Sequence, residues 1–346
     1  MRPIRKLLNI LYVTTPDSYV SRDGENVVIS VNSEEKFRMP VHNLEGIVCF
    51  NYTGASPALM ALCCERSVKL SFLTENGRFL ARVTGGASGN VLLRRKQYRC
   101  SDDEKFCTDV SKNLIAGKIQ NSRYVLQRFA RDHSEDAGSE NVKNASKTLA
   151  HFGLSLLSCD NLDSIRGVEG EAAREYYGVF DHLITEQKEV FKFKGRSRRP
   201  PLDHVNAVLS FLYVVLAHDC EAALETVGLD PQVGFLHRDR SGRAGLALDL
   251  MEELRPYLVD RTALTLINNR QISSKRFLVK ETGAVIMDDE TRKEIIVAWQ
   301  KRKQEEITHP FLNEKIKVGL IPYVQALLMS RFLRGDLDGY PPFLIR

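Results

Sequence analysis

The sequence predicts an α+β protein in two parts, a small N-terminal β-sandwich-like domain followed by a larger, mainly α-helical domain. Three observations lead there. Short β-rich runs separated by turn residues fill the first part, the glycine-rich stretch Gly85-Gly86-Ala87-Ser88-Gly89-Asn90 follows, and apolar residues at helical spacing dominate from Val91 onward. A chain of 346 residues is long enough to bury two cores. The expected division is a β domain over 1–85, a linker over 86–90 and a helical domain over 91–346.

Within the first domain, Tyr19 to Val31 reads as a hairpin turning at Asp23-Gly24. Ser56 to Arg66 reads as a short helix, with Ser56 as its cap and Pro57 in its first turn. Val68 to Leu73 and Phe79 to Val83 form a second hairpin around Asn76-Gly77. In the second domain the helical pattern is broken by the polar segment Asp132 to Ser146 and by the basic segment Lys192 to Pro201. A small hairpin is inserted at Arg276 to Met287, turning at Gly283. The nearly apolar run Val205 to Ala217 contains Asn206 and Ser210 and falls short of the roughly 20 residues a bilayer span needs, so it predicts a buried helix and no membrane partner.

Composition narrows the function classes. Apolar residues make up 43% and charged residues 27%, as in a globular protein. The basic N-terminus is followed by no long apolar stretch or small-residue cleavage site, so a cytoplasmic location is expected. Cys49, Cys63, Cys64, Cys100, Cys107, Cys159 and Cys220 contain no Cys-x-x-Cys pair, which argues for reduced thiols and against zinc. No Walker-type loop, Gly-x-Ser-x-Gly elbow or His-Glu-x-x-His helix is present, removing support for nucleotide hydrolysis and for serine or zinc chemistry.

The net charge of +5 is too small to imply a nucleic-acid partner by itself, but its distribution says more. Lys192, Lys194, Arg196, Arg198 and Arg199 cluster with no acid among them, and Arg94, Arg95, Lys96 and Arg99 form a second group. Such runs suit a phosphate backbone, and Phe191 and Phe193 beside the first could stack on an unpaired base. The plainer explanation of each run is a solvated surface.

Three segments carry candidate chemistry. From Ser164 to Ile184, Ile165, Val168, Ala172, Tyr176, Val179, Phe180 and Leu183 define an inward face, and Glu169 lies on it. An inward carboxylate needs a cation, a metal or hydrogen bonds, and a structural salt bridge is the ordinary solution. From Ala244 to Leu258 the inward stripe is Ala247, Leu250, Met251, Leu254 and Leu258, which leaves Asp249, Glu252 and Glu253 crowded on another side. That is either a solvated acidic face or a cation site. Between them, Gly234 to Arg243 holds the single histidine His237 among Arg238, Arg240 and Arg243. A lone histidine is usually structural, but one imidazole with two carboxylates suits Mg2+ or Mn2+, and neighbouring arginines suit phosphate.

These segments resemble a known family. Gly167-Val168-Glu169-Gly170-Glu171-Ala172-Ala173, Pro200-Pro201-Leu202-Asp203-His204-Val205-Asn206-Ala207, Gly234-Phe235-Leu236-His237 and Leu246 to Pro256 are similar to motifs of Cas1, the CRISPR-associated integrase of spacer acquisition, in its type I-C form. Thr53 to Met60, Leu73 to Phe79, His309-Pro310-Phe311 and Tyr340-Pro341-Pro342-Phe343 extend the likeness from about Asn9 to the end. The resemblance implies Glu169, His237 and Glu252 as ligands of Mg2+ or Mn2+, with Asp249 as a supporting acid; many relatives carry aspartate at the position of Glu252. It also implies a homodimer built through the β domain, a heterohexamer with the small partner Cas2, and DNA as substrate. The expected function is therefore metal-dependent DNA cleavage and strand transfer in CRISPR adaptation. The competing expectation is a non-catalytic DNA-binding scaffold.

Overall fold

The computed structural model describes residues 9–50, 53–74, 79–83, 85, 91–136 and 138–345. The expected linker at 86–90 and the turn at Asn76-Gly77 lie outside them. The chain separates into two compact units, Met1–Ser88 with Met287–Gln304, and Gly89–Ile286 with Glu305–Arg346.

The described residues of the first unit's N-terminal part form β1 (Ile10–Val13), β2 (Ser18–Asp23), β3 (Asn26–Val31), β4 (Glu34–Pro40), β5 (Gly46–Cys49), β6 (Gly54–Ala55), α1 (Pro57–Glu65), β7 (Lys69–Leu73) and β8 (Phe79–Val83). One sheet has the order β4-β3-β2-β6 and the other β1-β5-β7-β8. The β2–β3 hairpin pairs Asp23 with Asn26, and Gly24 takes the φ of +59° that its turn needs. The Ser56 hydroxyl accepts the Leu59 N–H at 3.2 Å and caps α1. β7 and β8 pair antiparallel, but β1, β5 and β7 run parallel, a long-range pairing that local hairpin signals do not carry. Val20, Val27 and Ile29 of one sheet share a core with Val13, Ile47, Cys49 and Leu70 of the other and with Leu59 and Leu62 of α1.

The second unit carries the helices α2 (Val91–Ser101), α3 (Glu104–Asp132), α4 (Ser139–Ser155), α5 (Leu162–Gly178), α6 (His204–Val227), α7 (Gly245–Leu254) and α8 (Arg261–Asn268). Strands β9 (Phe277–Val279) and β10 (Val285–Met287) form the inserted hairpin, with Gly283 at φ +78°. The helix α9 (Asp289–Gln304) belongs to the first unit, an assignment that periodicity cannot make because it reports helix type and not packing partner. β11 (Glu306–Thr308), β12 (Lys315–Lys317) and α10 (Ile321–Leu333) complete the chain. The polar break expected at 132–146 is shorter than the composition suggests, since α4 already begins at Ser139.

α7 lies at the centre of this unit, packed on α3, α6 and α10. α6 is 24 residues long and apolar enough in composition to cross a bilayer, and it is packed within the protein, with Asn206, Phe211, Leu212 and Leu216 all buried. α3 approaches α7 at Gly117, where a Cβ would come within 2.9 Å of the Glu253 Cβ and 3.1 Å of the Pro342 Cβ. That close passage of backbones brings α3 side chains to the carboxylates of α7.

Candidate active site

α7 is buried all round, contrary to the expected single apolar stripe with a crowded acidic face. Asp249, Glu252 and Glu253 are respectively 0%, 4% and 0% exposed. Three carboxylates on one short helix are tolerated because each points to a different set of donors, as burial of charge requires.

Asp249 organises the histidine loop. Its Oδ2 accepts the N–H groups of Phe235 (2.6 Å) and Leu236 (3.0 Å), and its Oδ1 accepts the His237 N–H at 3.0 Å. The same Oδ1 lies 2.6 Å from His237 Nδ1. An ionised carboxylate can only accept, so Nδ1 carries a proton and Nε2 is the ring atom that Asp249 leaves unbonded. Gly234 is required here, because a Cβ would stand 2.6 Å from Asp249 Oδ2 and 2.7 Å from the Gly245 carbonyl carbon. Pro231 and Gln232 carbonyls accept the first N–H groups of α7, closing the loop onto the helix start. From α5, Arg166 donates to the Leu236 carbonyl at 2.5 Å and pairs with Asp163, which also holds Arg238 at 2.9 Å. Arg238 and Arg240 are exposed, and Arg243 is half-buried.

Glu252 and Glu169 meet around a lysine. Lys118 of α3 donates to Glu169 Oε1 and places its Nζ 2.8 Å from Glu252 Oε2, while Arg255 sits 3.1 Å from Glu252 Oε1. Among the described residues no donor is aimed along a good hydrogen-bond line at this buried Oε2, although the Lys118 ammonium stands beside it. Burial opposes the Glu252 charge, but Arg255, Lys118 and His237 outweigh it and hold the carboxyl down at about 2. Burial likewise opposes the Lys118 charge, and Glu252 and Glu169 more than compensate. Among the described residues, no three His, Cys, Asp or Glu side chains stand close enough to hold one ion. The donor chemistry of Glu169, Glu252 and His237 nevertheless fits a divalent ion: two carboxylates already meet at one point, one carboxylate oxygen is buried without a directed donor, and a neighbouring imidazole engages Asp249 through Nδ1 and leaves Nε2 to other partners.

Glu253 is structural. Its Oε1 accepts from Tyr340 Oη and from Gln325 Nε2 (2.9 Å), and its Oε2 accepts the Phe343 N–H at 2.6 Å. Asn121 donates to the Glu253 and Phe343 carbonyls at 2.7 Å each, so the Tyr340–Phe343 motif locks the chain's end onto α3 and α7. Burial lifts the Glu253 carboxyl to about 7 despite these donors. His309 accepts the Leu312 N–H on Nδ1 and lies 3.1 Å from Gln325 Oε1 through Nε2, a buried supporting histidine.

Beyond Arg255 the chain runs as a π-helix over Arg255–Asp260, with Pro256 at its start. This turn sends Asp260 to Tyr213 (2.5 Å) and Tyr176 (3.1 Å), while the Arg255 guanidinium lies over the Tyr213 ring.

The basic segment divides. Phe191 and Phe193 are 0% and 6% exposed. Phe191 packs on His204 and Phe277, and Phe193 on Tyr177 and Phe180. Neither can stack on a base, because the extended chain turns alternate residues inward and leaves Lys192 and Lys194 outside. Arg196 is also committed: it donates to Asn206 Oδ1 (2.6 Å) and Ser210 Oγ (3.2 Å) and lies over Tyr213. Lys192, Lys194, Arg198 and Arg199 remain exposed. The Pro200–Ala207 motif explains itself here, since Asp203 caps α6 through the Asn206 N–H at 2.7 Å and Asn206 ties Gly195 and Ser197 to the helix. In the second basic group Arg95, Lys96 and Arg99 form a solvated face of α2, while Gln97 is buried and anchors the helix to Asp230 and Val233.

The two-sheet unit, the helical unit and the buried acids of α7 with Glu169 and the His237 loop are those of a CRISPR-associated protein, as comparison with known proteins shows. The family model described as CRISPR associated protein Cas1 matches residues 11–301. The sequence is 50% identical to CRISPR-associated endonuclease Cas1 1 of Chlorobaculum tepidum, over 99% of this chain and 100% of that one. It is 51% identical to CRISPR-associated endonuclease Cas1 2 of Rhodospirillum rubrum, over 98% and 99%. In fold it matches a casposase bound to integration product (TM-score 0.84, 21% identity, 97% and 94% covered) and a chain of a Cas6-RT-Cas1–Cas2 complex (0.84, 21%, 99% and 37%). The chain belongs to the Cas1 family.

One residue at the centre of the site, Lys118, escaped the sequence reading. Lys118 falls on the stripe Leu114, Ile115, Asn121, Ser122 and Val125 of α3, and a lysine on an inward stripe is the same signal that marked Glu169. Arg255 was legible as a cation for the crowded acids, because it follows Glu252 by three residues, the spacing of neighbours on a helix face, and it stands 3.1 Å from Glu252 Oε1.

Proposed function

We propose that the chain is a divalent-metal-dependent DNA endonuclease and integrase of CRISPR adaptation, inserting short duplexes into an array. The single observation that carries this reading is the meeting of Glu169 and Glu252, from different helices, beside a histidine whose tautomer is set by Asp249. Glu169, Glu252 and His237 Nε2 would hold Mg2+ or Mn2+, which supplies Lewis acidity to a phosphate oxygen and to an attacking hydroxyl. In strand transfer a DNA 3′-oxygen forms a new bond to phosphorus, the target's P–O bond breaks, and the departing 3′-oxygen takes up a proton. One phosphodiester is exchanged for another, so no nucleotide hydrolysis is needed, consistent with the lack of a Walker loop. Water in place of the hydroxyl gives endonuclease activity from the same centre.

The chain's own residues supply the rest. Asp249 keeps the His237 proton on Nδ1 and so keeps Nε2 free for coordination. Arg255 keeps Glu252 ionised in a buried place. Lys192, Lys194, Arg198, Arg199, Arg238 and Arg240 are exposed for phosphate contact, with Arg243 at the loop's base. The Cas1–Cas2 complex among the structural neighbours supports Cas2 as a partner, and we place a homodimer, joined through the β-sheet unit, within a heterohexamer working in a prokaryotic cytoplasm.

An ion pair from Lys118 to two glutamates is also what a non-catalytic DNA-binding scaffold would contain. The decisive assay incubates the purified chain with Cas2, a short duplex and a plasmid bearing the repeat, with Mn2+ or with chelator. The proposal predicts plasmid-joined product only with metal, while chelator leaves DNA binding with normal salt dependence. Equal product in chelator, or none in any metal from a protein that binds DNA, favours the scaffold.

A further inference from the structure

We infer that Lys118 is a built-in counter-ion of the active site, holding Glu169 and Glu252 together without metal and yielding their oxygens when a divalent ion enters. The inference rests on the proposed metal site and adds a competitor within it.

Three helices converge at the ammonium: Lys118 comes from α3, Glu169 from α5 and Glu252 from α7. The lysine side chain is 12% exposed and touches both carboxylates, so neither can turn fully toward another cation while it stays. The formal charges of Glu169, Glu252, Lys118 and Arg255 cancel, which lets the group be buried without metal. A divalent ion added to that set leaves an excess of positive charge, the condition that favours a DNA phosphate next to it.

The two cations differ in chemistry and in what surrounds them. Arg255 is a planar guanidinium 3.1 Å from Glu252 Oε1 and over the ring of Tyr213. Lys118 makes one directed bond, to Glu169, and meets Glu252 Oε2 as a bare charge. An ammonium on a flexible stem is the more easily moved of the two, and it needs no fixed geometry at its next partner. Displacement therefore costs the protein a rotamer change at Lys118 and leaves α3, α5 and α7 in place.

The test is a Mn2+ titration of the full-length protein, read by thermal shift and by the electron paramagnetic resonance signal of free Mn2+, for wild type, Lys118→Met, Lys118→Gln and Glu169→Gln. Removing the competitor should lower the Mn2+ concentration at half-binding by at least about tenfold. It should also lower Tm in chelator, with recovery toward wild type at saturating Mn2+. Lys118→Gln keeps a donor for Glu169 without the charge, and it carries the test if Lys118→Met does not fold. Glu169→Gln should bind Mn2+ more weakly than wild type, marking the ion as bound at this site. If wild type binds Mn2+ with loss on Glu169→Gln, but the Lys118 variants bind equally or more weakly, the counter-ion inference is overturned and the metal site stands. If neither wild type nor the Lys118 variants bind Mn2+, the metal-site reading fails and takes the inference with it.

Discussion

Replacing Asp249 with asparagine tests the site at its most constrained point. The carboxylate is fully buried and receives three backbone N–H groups and His237 Nδ1. Asparagine retains one acceptor oxygen, which serves Phe235 and Leu236 if it takes the Oδ2 position. Its amide nitrogen then faces two donors on His237. The imidazole can respond by accepting on Nδ1, which moves its proton to Nε2, but the His237 backbone N–H is left orphaned at about 1–3 kcal/mol. Two charge-assisted bonds become neutral ones at about 1 kcal/mol each, for a total near 3–5 kcal/mol. Urea unfolding followed by the helical signal measures this loss, and nitrogen-15 chemical shifts of the ring report the tautomer. Under the proposed metal site Nε2 can no longer act as a ligand, so Mn2+ binding and strand transfer should fall together at unchanged DNA affinity. An Asp249→Asn protein within about 0.5 kcal/mol of wild type, or one whose Nε2 stays unprotonated, would refute this reasoning.

Other perturbations have equally definite signs. Burial lifts the Asp260 carboxyl from its usual range to about 6, against the help of Tyr213, Tyr176 and Arg255, so its favourable contribution is complete at low pH and is lost as pH rises through about 6. Between about pH 4 and pH 7 the wild type should lose about 3 kcal/mol that Asp260→Asn does not, giving a flatter stability profile in denaturant titrations at several pH values. Neutralising Lys192, Lys194, Arg198 and Arg199 should weaken DNA binding across all sequences and reduce its salt slope by about 0.9 per lost phosphate contact. Arg196→Ala should instead lower Tm with little change in slope, since that guanidinium is spent on Asn206, Ser210 and Tyr213. Gly234→Ala should cost about 2 kcal/mol or more in a melt, because its Cβ must displace Asp249 or the Gly245 backbone.

What could be read from the chain and what could not divides along physical lines. Hairpin chemistry at Asp23-Gly24, the Ser56 cap and the inward face of α5 are local signals, and the structure has all three. The parallel pairing of β1, β5 and β7 and the grouping of α9 with the first unit depend on distant contacts and left no such trace. At the site, Glu169 was legible as a carboxylate on an apolar face. The acids of α7 were legible as residues but misplaced as a surface, because a helix surrounded by donors from α3, α10 and the His237 loop can bury all three. Phe191 and Phe193 misled because aromatic residues beside cations look the same in sequence whether they stack on a ligand or alternate into the core.

The most direct measurement is crystallographic: crystals grown with Mn2+, and an anomalous difference map collected at the manganese edge. The account predicts one strong peak bonded to Glu169, Glu252 and His237 Nε2, with the Lys118 ammonium moved off the two carboxylates. A map with no peak there, Lys118 still bridging Glu169 and Glu252, and strand transfer nonetheless intact in the same Mn2+ concentration would contradict it.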